Sequence, residues 1–456
     1  MANKQIRLLR KIEGFFEASD NTALRQLLNE QRSSDIAEVV ELLDNEQRRI
    51  IFDVLDKPIS AEVLEKVDEA TRAELFELLE DKELASLVSH LDPDDAADVL
   101  SELSKEESIE VLESLPPVES AQIKDLMGYS EESAGGIMDP VLISVSEDAT
   151  VAEAINKIRT AEIDEDFFSV YVVDKVGRFV GDVRIRLLLT SREETKIHDL
   201  TEPDTIYVTA DADQEEVRNI FSKNDLIVAP VLDKNKKLIG RITADRVIEV
   251  AEEEAAEDMY VMAGTDPDEL DDVSVLRAAR IRMTWLLPCL IGTAITAVVL
   301  TFFKNYNSTI YVVAVAFVPM IAAISGNAGL QTSTIVVSGL ATGHLAALKL
   351  SQVFMREVRV ALFVALSCGI IGGIACGILL DKGALGSAIE PHRVIFAFGA
   401  AMFSAIMVAT TLGLFLPFLF RRIGIDPAIS SGPLVTTAND SISVTIYMTL
   451  TLLLAV

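Results

Sequence analysis

From Thr284 to its end, this 456-residue chain holds only five acids (Glu357, Asp381, Glu390, Asp426 and Asp440) and eight bases. The stretch before Thr284 holds 66 acids and 32 bases. Two such different materials do not share a core. The back part carries apolar runs at Thr284–Phe303, Ile310–Ile324, Ala361–Leu380, Val394–Phe420 and Leu434–Val456. Apolar runs of about 18 residues or more read as membrane-crossing helices. The split explains how a chain of net charge −31 is also 50% hydrophobic. The acidic balance argues against a nucleic-acid partner, because that binding draws on Lys and Arg contacts to phosphate. Cys289, Cys368 and Cys376 all lie in apolar stretches without Cys-x-x-Cys spacing, so neither a zinc site nor a disulfide framework is expected. Met1–Phe15 is polar and basic, which is not the pattern of a secretory leader.

Five spans are therefore expected in an all-α membrane domain over 273–456. The second is short, and the sequence predicts a break at Ser325-Gly326-Asn327-Ala328-Gly329 before an apolar stretch resumes to Leu348. Irregular polar backbone at that depth is tolerated only against protein or a water-filled cavity. Arg277, Arg280, Arg282, Lys349, Arg356, Arg359, Arg421 and Arg422 flank one side of the spans; Lys304, Lys382 and Arg393 flank the other. The positive-inside rule then puts the N-terminal part in the cytoplasm and the C-terminus outside, in a multi-pass protein surrounded by lipid. Asp440 is the one charge inside an apolar run. A charge near mid-bilayer costs roughly 2.5–3.5 kcal/mol on insertion scales and marks a pathway or a partner. Thr436, Thr437, Asn439, Ser441 and Ser443 surround it with oxygens suited to a hard, hydrated cation. A protonated Asp440 bonded between helices is the structural alternative.

The acidic front has its own order. Leu43-Asp44, Val67-Asp68, Leu91-Asp92 and Leu115-Pro116 recur every 24 residues, and so do Val40, Leu64, Val88, Leu112 and Ile51, Leu75, Val99, Ile123. The spacing predicts two short helices per repeat, the Asp capping the second. One such unit cannot bury its own face, so 1–137 is expected to be a stacked helical superhelix. After Ser133-Ala134-Gly135 the period changes. Two copies of β-α-β-β-α follow, at 138–200 and 201–246, and they resemble a pair of CBS domains. That resemblance implies a Thr and an Asp that can hold a ribose, and Gly240-Arg241-Ile242-Thr243-Ala244-Asp245 of the second copy has Thr243 and Asp245 at those places; the first has Arg184 and Arg186 there. A purely structural pair is the alternative to nucleotide binding. An acidic helix from Val247 to Met262 opens a connecting segment, 247–272. Its carboxylates repel one another, so it is either a solvated helix or one that needs a divalent cation.

Taken together, the order of parts and several strings resemble the MgtE family of magnesium channels and transporters. The strings are Tyr129-x3-Ser133-Ala134-Gly135-x2-Met138, Gly326-Asn327-x-Gly329-x-Gln331, Asp426-Pro427-Ala428 and Ser431-Gly432-Pro433-x-Val435-Thr436-Thr437-x-Asn439-Asp440. Leu330 departs from the polar residue usual at its place. The resemblance implies a homodimer in a bacterial or archaeal plasma membrane, importing Mg²⁺ through a pore where Asp440, Asn439, Thr436, Asn327 and Asp426 meet the ion. It also implies closure by cytosolic Mg²⁺ bound at Asp92, Asp95, Asp213, Glu215, Asp225, Glu249, Glu254, Glu257 and Asp258, with ATP a possible ligand of the CBS pair. The rival readings are a CBS-regulated carrier for Mn²⁺ or Co²⁺, a cation exchanger, and a receptor whose spans only anchor it. Four scattered histidines and no Ser/His/Asp set or phosphate loop argue against an enzyme.

Overall fold

The computed structural model describes residues 2–18, 20–161, 167–267, 269, 274–342, 345, 350–379, 390–430 and 432–455. Leu348, Lys349, Leu380, Asp381, Lys382, Ser431 and Val456, used above as span ends, flanking charges or motif members, lie outside the described residues. The chain forms two compact units, Met1–Glu252 and Glu253–Val456.

The first unit opens with α1 (Ala2–Ala18) and α2 (Asn21–Asn29). Helix pairs follow, one per repeat: α3 (Ser33–Val40) and α4 (Asn45–Val54), α5 (Lys57–Lys66) and α6 (Glu69–Leu78), α7 (Asp81–Val88) and α8 (Pro93–Ser101), α9 (Lys105–Ser114) and α10 (Pro117–Leu126). Helix α3 packs on α5, α5 on α7 and α7 on α9, while α4 packs on α6 and α8 on α10. Both repeat columns, Val40 to Leu112 and Ile51 to Ile123, are buried along that stack. The capping carboxylates behave unequally. Asp44 accepts from Gln47 N at 2.9 Å and Asp68 from Thr71 N at 2.7 Å. Asp92 holds the same place at α8 and makes no cap bond, so its carboxylate is released from local duty.

A second repeated device is not evident from hydrophobic periodicity. Arg48 and Arg72, also 24 residues apart, cap the end of the preceding helix. Arg48 Nε donates to Val40 O at 2.9 Å; Arg72 Nε donates to Leu64 O at 3.0 Å, and its Nη2 donates to Glu65 O at 2.7 Å and Val67 O at 2.8 Å. Each also pairs with an acid of the next repeat, Glu74 or Glu102. The next position in the column is Ala96.

Two small sheets complete the unit. Strand β1 (Ser144–Ser146) is followed by α11 (Val151–Thr160), β2 (Ser169–Val173), β3 (Phe179–Arg184) and α12 (Ile185–Thr190). Then come β4 (Val208–Thr209), α13 (Gln214–Asn224), β5 (Val228–Leu232), β6 (Leu238–Thr243) and α14 (Ala244–Ala263). In each sheet the first strand runs parallel to the second, and the second is antiparallel to the third. The segment before the first sheet belongs with the second: Ala134 N donates to Ala212 O at 2.7 Å, and Asp139 and Arg241 exchange backbone hydrogen bonds at 2.8 Å. Helix α14 carries the acidic run and ends at Gly264, whose φ of +81° suits a residue without Cβ.

The second unit contains α15 (Val275–Tyr306), α16 (Ser308–Val315), α17 (Val318–Ala341), α18 (Leu350–Leu379), α19 (Pro391–Arg422) and α20 (Pro433–Ala455). Helix α19 packs against α17, α18 and α20, and α15 packs against α20. Among the described residues four helices are long and apolar enough to cross a membrane: α15, α17, α18 and α19. The fifth expected span, α20, is a helix of 23 residues with a polar first half.

The expected break at Ser325–Gly329 is not there. Helix α17 runs unbroken through it, and the interruption falls at Ala316-Phe317. Pro319 explains the shift, because it lacks an N–H and its ring crowds the carbonyl four residues back. The glycines serve packing instead. A Cβ on Gly329 would meet Ala409 O at 3.1 Å, and one on Gly413 would strike Gly329 O. Small residues let membrane helices approach this closely.

Arg72→Ala should leave α5 carbonyls without a donor and Glu102 without its cation. We expect a loss of roughly 2–4 kcal/mol from the helical stack, read as a lowered urea midpoint of the first unit's transition.

Candidate cation and nucleotide sites

The apolar columns of the repeats are consumed in packing, so the chemistry collects where polar residues have no such task. One place is a cavity of 540 Å³ within the first unit. Its wall combines seven acids (Glu65, Asp92, Asp94, Asp95, Asp139, Asp245 and Glu249) with three bases (Lys66, Arg241 and Arg246). Ile143, Phe167, Phe168, Tyr171, Ile227 and Val228 supply its apolar side, and Thr243 lies among them. Asp92, Asp95, Glu249, Thr243 and Asp245, which the sequence assigned to two different sites, thus line one space.

Burial dominates the electrostatics. It pushes the Asp94 carboxyl up to about 8, with the charges of Asp95 and Asp139 adding to the effect. Burial, reinforced by Glu65 and opposed by Arg246, brings Asp95 to about 7. Burial raises Asp92 and Asp98 as well. Arg246 is shared: its guanidinium pairs with Asp98 on α8 and with Glu249 at 3.2 Å. Asp94 Oδ1 and Arg246 Nε are buried without a hydrogen-bond partner among the described residues. A buried polar atom left unmatched costs free energy, so both call for something that fills the cavity.

Chemically, the cavity fits two kinds of guest. A divalent cation would relieve the carboxylates. Among the described residues no three acids, histidines or cysteines converge into a ready cage; Mg²⁺, however, keeps several waters and takes one or two carboxylates. The other wall sets apolar Ile143 and Tyr171 beside the Thr243 and Asp245 that the sequence offered to a nucleotide. Phosphates would need Lys66, Arg246 or a cation to offset the acids around them.

The remaining regulatory candidates lie elsewhere. Asp213 is the N-cap of α13, accepting from Glu215 N at 2.9 Å. Asp225 closes that helix in a left-handed conformation, φ +51°. None of Asp213, Glu215 and Asp225 lines the cavity. Glu254, Glu257 and Asp258 sit on the last turns of α14, in the second unit. Asp94, Asp139, Lys66 and Arg246 were not singled out by sequence. The usable signal was the Asp92-Pro93-Asp94-Asp95 cluster at a repeat position where the two preceding repeats have a single capping Asp.

The second place is on α20. Its residues alternate between two neighbours. Thr437 packs on Gly292 of α15, and Ser441 Oγ donates to Gly292 O at 3.0 Å and meets Thr296 Oγ1 at 2.8 Å. On the other face, buried Asn439 donates through Nδ2 to Ser325 Oγ of α17 at 2.8 Å and accepts from Ser443 Oγ at 2.8 Å. Those bonds fix the rotation of α20 and set Asp440 beside Gly326. A Cβ at Gly326 would lie 3.8 Å from Asp440 Oδ1 and 3.8 Å from Thr436 Cγ2. Asp440 is half-buried, and no Lys or Arg pairs with it among the described residues.

Asn327 and Gln331 are exposed one turn apart on α17. Asp426 is exposed ahead of the turn Pro427–Ser430, where its Oδ1 accepts from Ala428 N at 2.8 Å. Glu357 was missed: it is only 3% exposed on α18. It precedes the apolar run that starts at Ala361, while the helix itself starts at Leu350.

A charged helical stack and a CBS pair ahead of several helices long and apolar enough to cross a membrane define a multi-pass membrane protein with a large polar part. Residues 31–132 match the MgtE intracellular N domain, 134–193 and 197–253 the CBS domain, and 318–450 the MgtE divalent cation transporter family. The chain is 31% identical to the magnesium transporter MgtE of Thermus thermophilus, covering 73% of this chain and 72% of that one. It is 32% identical to the magnesium transporter MgtE of Enterococcus faecalis, covering 72% and 70%. Among solved structures, the cytosolic domain of the Mg²⁺ channel MgtE in complex with ATP is similar at 32% identity and a TM-score of 0.51, over 53% of this chain and 99% of that domain. The chain belongs to the MgtE family of divalent cation transporters.

The raised carboxyls carry a sign. Asp94 and Asp95 hold protons up to about pH 8 and 7 in the folded chain, but only to about 3.9 when unfolded. The native state therefore binds more protons between those limits, and stability falls as pH rises from 4 to 8. In EDTA the first unit should melt at a lower temperature at pH 8 than at pH 6. Added Mg²⁺ should shrink that difference, because the cation takes the protons' place.

Proposed function

We propose that this protein imports Mg²⁺ across a bacterial or archaeal plasma membrane, as a homodimer whose pore is lined by α17 and α20. The reading rests on one observation above all: Asp440 is held by its neighbours' hydrogen bonds beside Gly326, with hydroxyls around it and, among the described residues, no base to neutralise it. A carboxylate so placed in a membrane seeks a cation. Mg²⁺ sheds water reluctantly, and an oxygen-lined passage lets it keep part of its shell. The exposed amides of Asn327 and Gln331 support a second copy, since polar groups facing lipid are costly and a shared, wet passage would cover them. The relatives named as magnesium transporters support the choice of ion. Mn²⁺ or Co²⁺ as cargo, and exchange against another ion, are the competing forms of this reading; an oxygen-only lining favours the harder ion.

Closure follows from the acidic cavity and α14. In the absence of cation the carboxylates there repel one another; at about 4 Å two unit charges interact by roughly 4 kcal/mol at an effective dielectric of 20. Cytosolic Mg²⁺ bound at Asp92, Asp95 and Glu249, with further ions at Asp213, Glu215, Asp225, Glu254, Glu257 and Asp258, would favour a compact closed form. Sites that each favour it by about 1–3 kcal/mol are enough to shift a two-state pore. ATP is a second regulatory ligand in this reading, at Thr243 and Asp245.

Asp92→Asn with Asp95→Asn should leave Mg²⁺ flux high at internal Mg²⁺ levels that shut the wild type, as read by a fluorescent Mg²⁺ indicator in vesicles; normal shut-off would remove the cavity from the mechanism. Asp245→Ala should weaken ATP binding by about tenfold in calorimetry, the loss of roughly one charged hydrogen bond, without abolishing transport.

A further inference from the structure

A separate cavity, of 570 Å³, lies between α15 and α20 in the second unit. Its wall is almost wholly apolar, with Trp285, Pro288, Gly292 and Ile295 from α15 and Leu434 and Ala438 from α20. It shares no lining residue with the acidic cavity, and the proposed ion pathway does not use it. Helix α15 has no buried residue, so the groove is not sealed by the protein. On a helix long and apolar enough to cross a membrane, an open apolar groove is placed to take lipid.

One end of the groove is polar. Arg277, Arg280, Thr284, Pro288, Ile291 and Ile295 succeed one another at steps of three or four residues, which is one face of a helix. Arg280 therefore stands one turn before Thr284, where the groove begins. It is exposed and has no ion pair among the described residues. Arg282, on another face, is engaged by Glu269 at 2.6 Å. Trp285, the one tryptophan of the chain, lines the groove at this same end, and indole rings favour the water–lipid boundary.

From this we infer that the groove holds an anionic phospholipid of the surrounding bilayer, its acyl chain along the apolar wall and its phosphate on Arg280. A guanidinium matches phosphate oxygens in a bidentate geometry. In phosphatidylcholine the choline offsets the phosphate charge, and in phosphatidylglycerol nothing does. The cavity volume lies within the range of pockets that take a small-molecule-sized guest, about 300–1,000 Å³.

Trp285 is both part of the groove and its reporter. The full chain, reconstituted in phosphatidylcholine vesicles, is titrated with brominated phosphatidylglycerol or with brominated phosphatidylcholine, and Trp285 emission is followed. Phosphatidylglycerol should quench with about fivefold higher apparent affinity, the worth of one guanidinium near a lipid surface. Arg280→Gln should abolish that preference while quenching by the choline lipid persists, and Arg280→Lys should keep most of it. Equal quenching by both lipids in the wild type would mean ordinary boundary lipid. No quenching by either would mean that another protein surface, such as a second copy, covers the groove. A preference that survives Arg280→Gln would remove Arg280 from the site. Each of those three results overturns the inference.

Discussion

A carboxylate taken out of water must be answered by a cation or a proton, and this chain gathers carboxylates where few bases can answer. The condition appears twice, in different surroundings. In the first unit, burial drives Asp94 and Asp95 up to about 8 and 7, with Asp95 and Asp139 adding to the first and Glu65 to the second. In the second, Asp440 lies between helix faces whose hydrogen bonds are spent on holding α20 in place. The helical stack, the paired sheets and the close-packed glycines of α17 and α19 can all be understood as what holds these acids where they do not relax.

The release of Asp92 links the repeat to the acidic cavity. In the first two full repeats the Asp before the second helix completes a cap, through Asp44 and Asp68. In the third it does not, and Pro93 at the start of α8 supplies helix geometry without needing the carboxylate. The same repeat loses the arginine of the column, with Ala96 where Arg48 and Arg72 stand before it. Two devices that stabilise the stack are thus relaxed in the repeat that lines the acidic cavity. Local stability is given up where the carboxylates gather.

Much of this was legible in the residues. The 24-residue columns are buried as their period required, the two β-α-β-β-α copies form two matching sheets, and the apolar runs are helices. What sequence periodicity could not supply was convergence in space. The segment at Asp139 joins the second sheet rather than the first, because its backbone pairs with Arg241, and nothing in the period of either stretch encodes that. The cavity therefore brought together Thr243, Asp245, Asp92 and Asp95, which sequence had kept as separate nucleotide and metal candidates. The misplaced break in the second span has a local cause. Gly and Asn at 326–329 read as a helix breaker by propensity, whereas tertiary contacts with Ala409 and Val435 make glycine the residue that fits. Glu357 escaped notice because hydropathy marks where a run is apolar, not where its helix begins.

Mg²⁺ flux in vesicles containing the purified protein, under a clamped membrane potential, tests the central claim most directly. If Asp440 is the charge that meets the cation, Asp440→Asn keeps the shape and the neighbouring bonds of Asn439 and Ser441, yet flux should fall to the level of empty vesicles while the melting temperature stays near that of the wild type. Undiminished Mg²⁺ current through the Asp440→Asn protein would contradict the account.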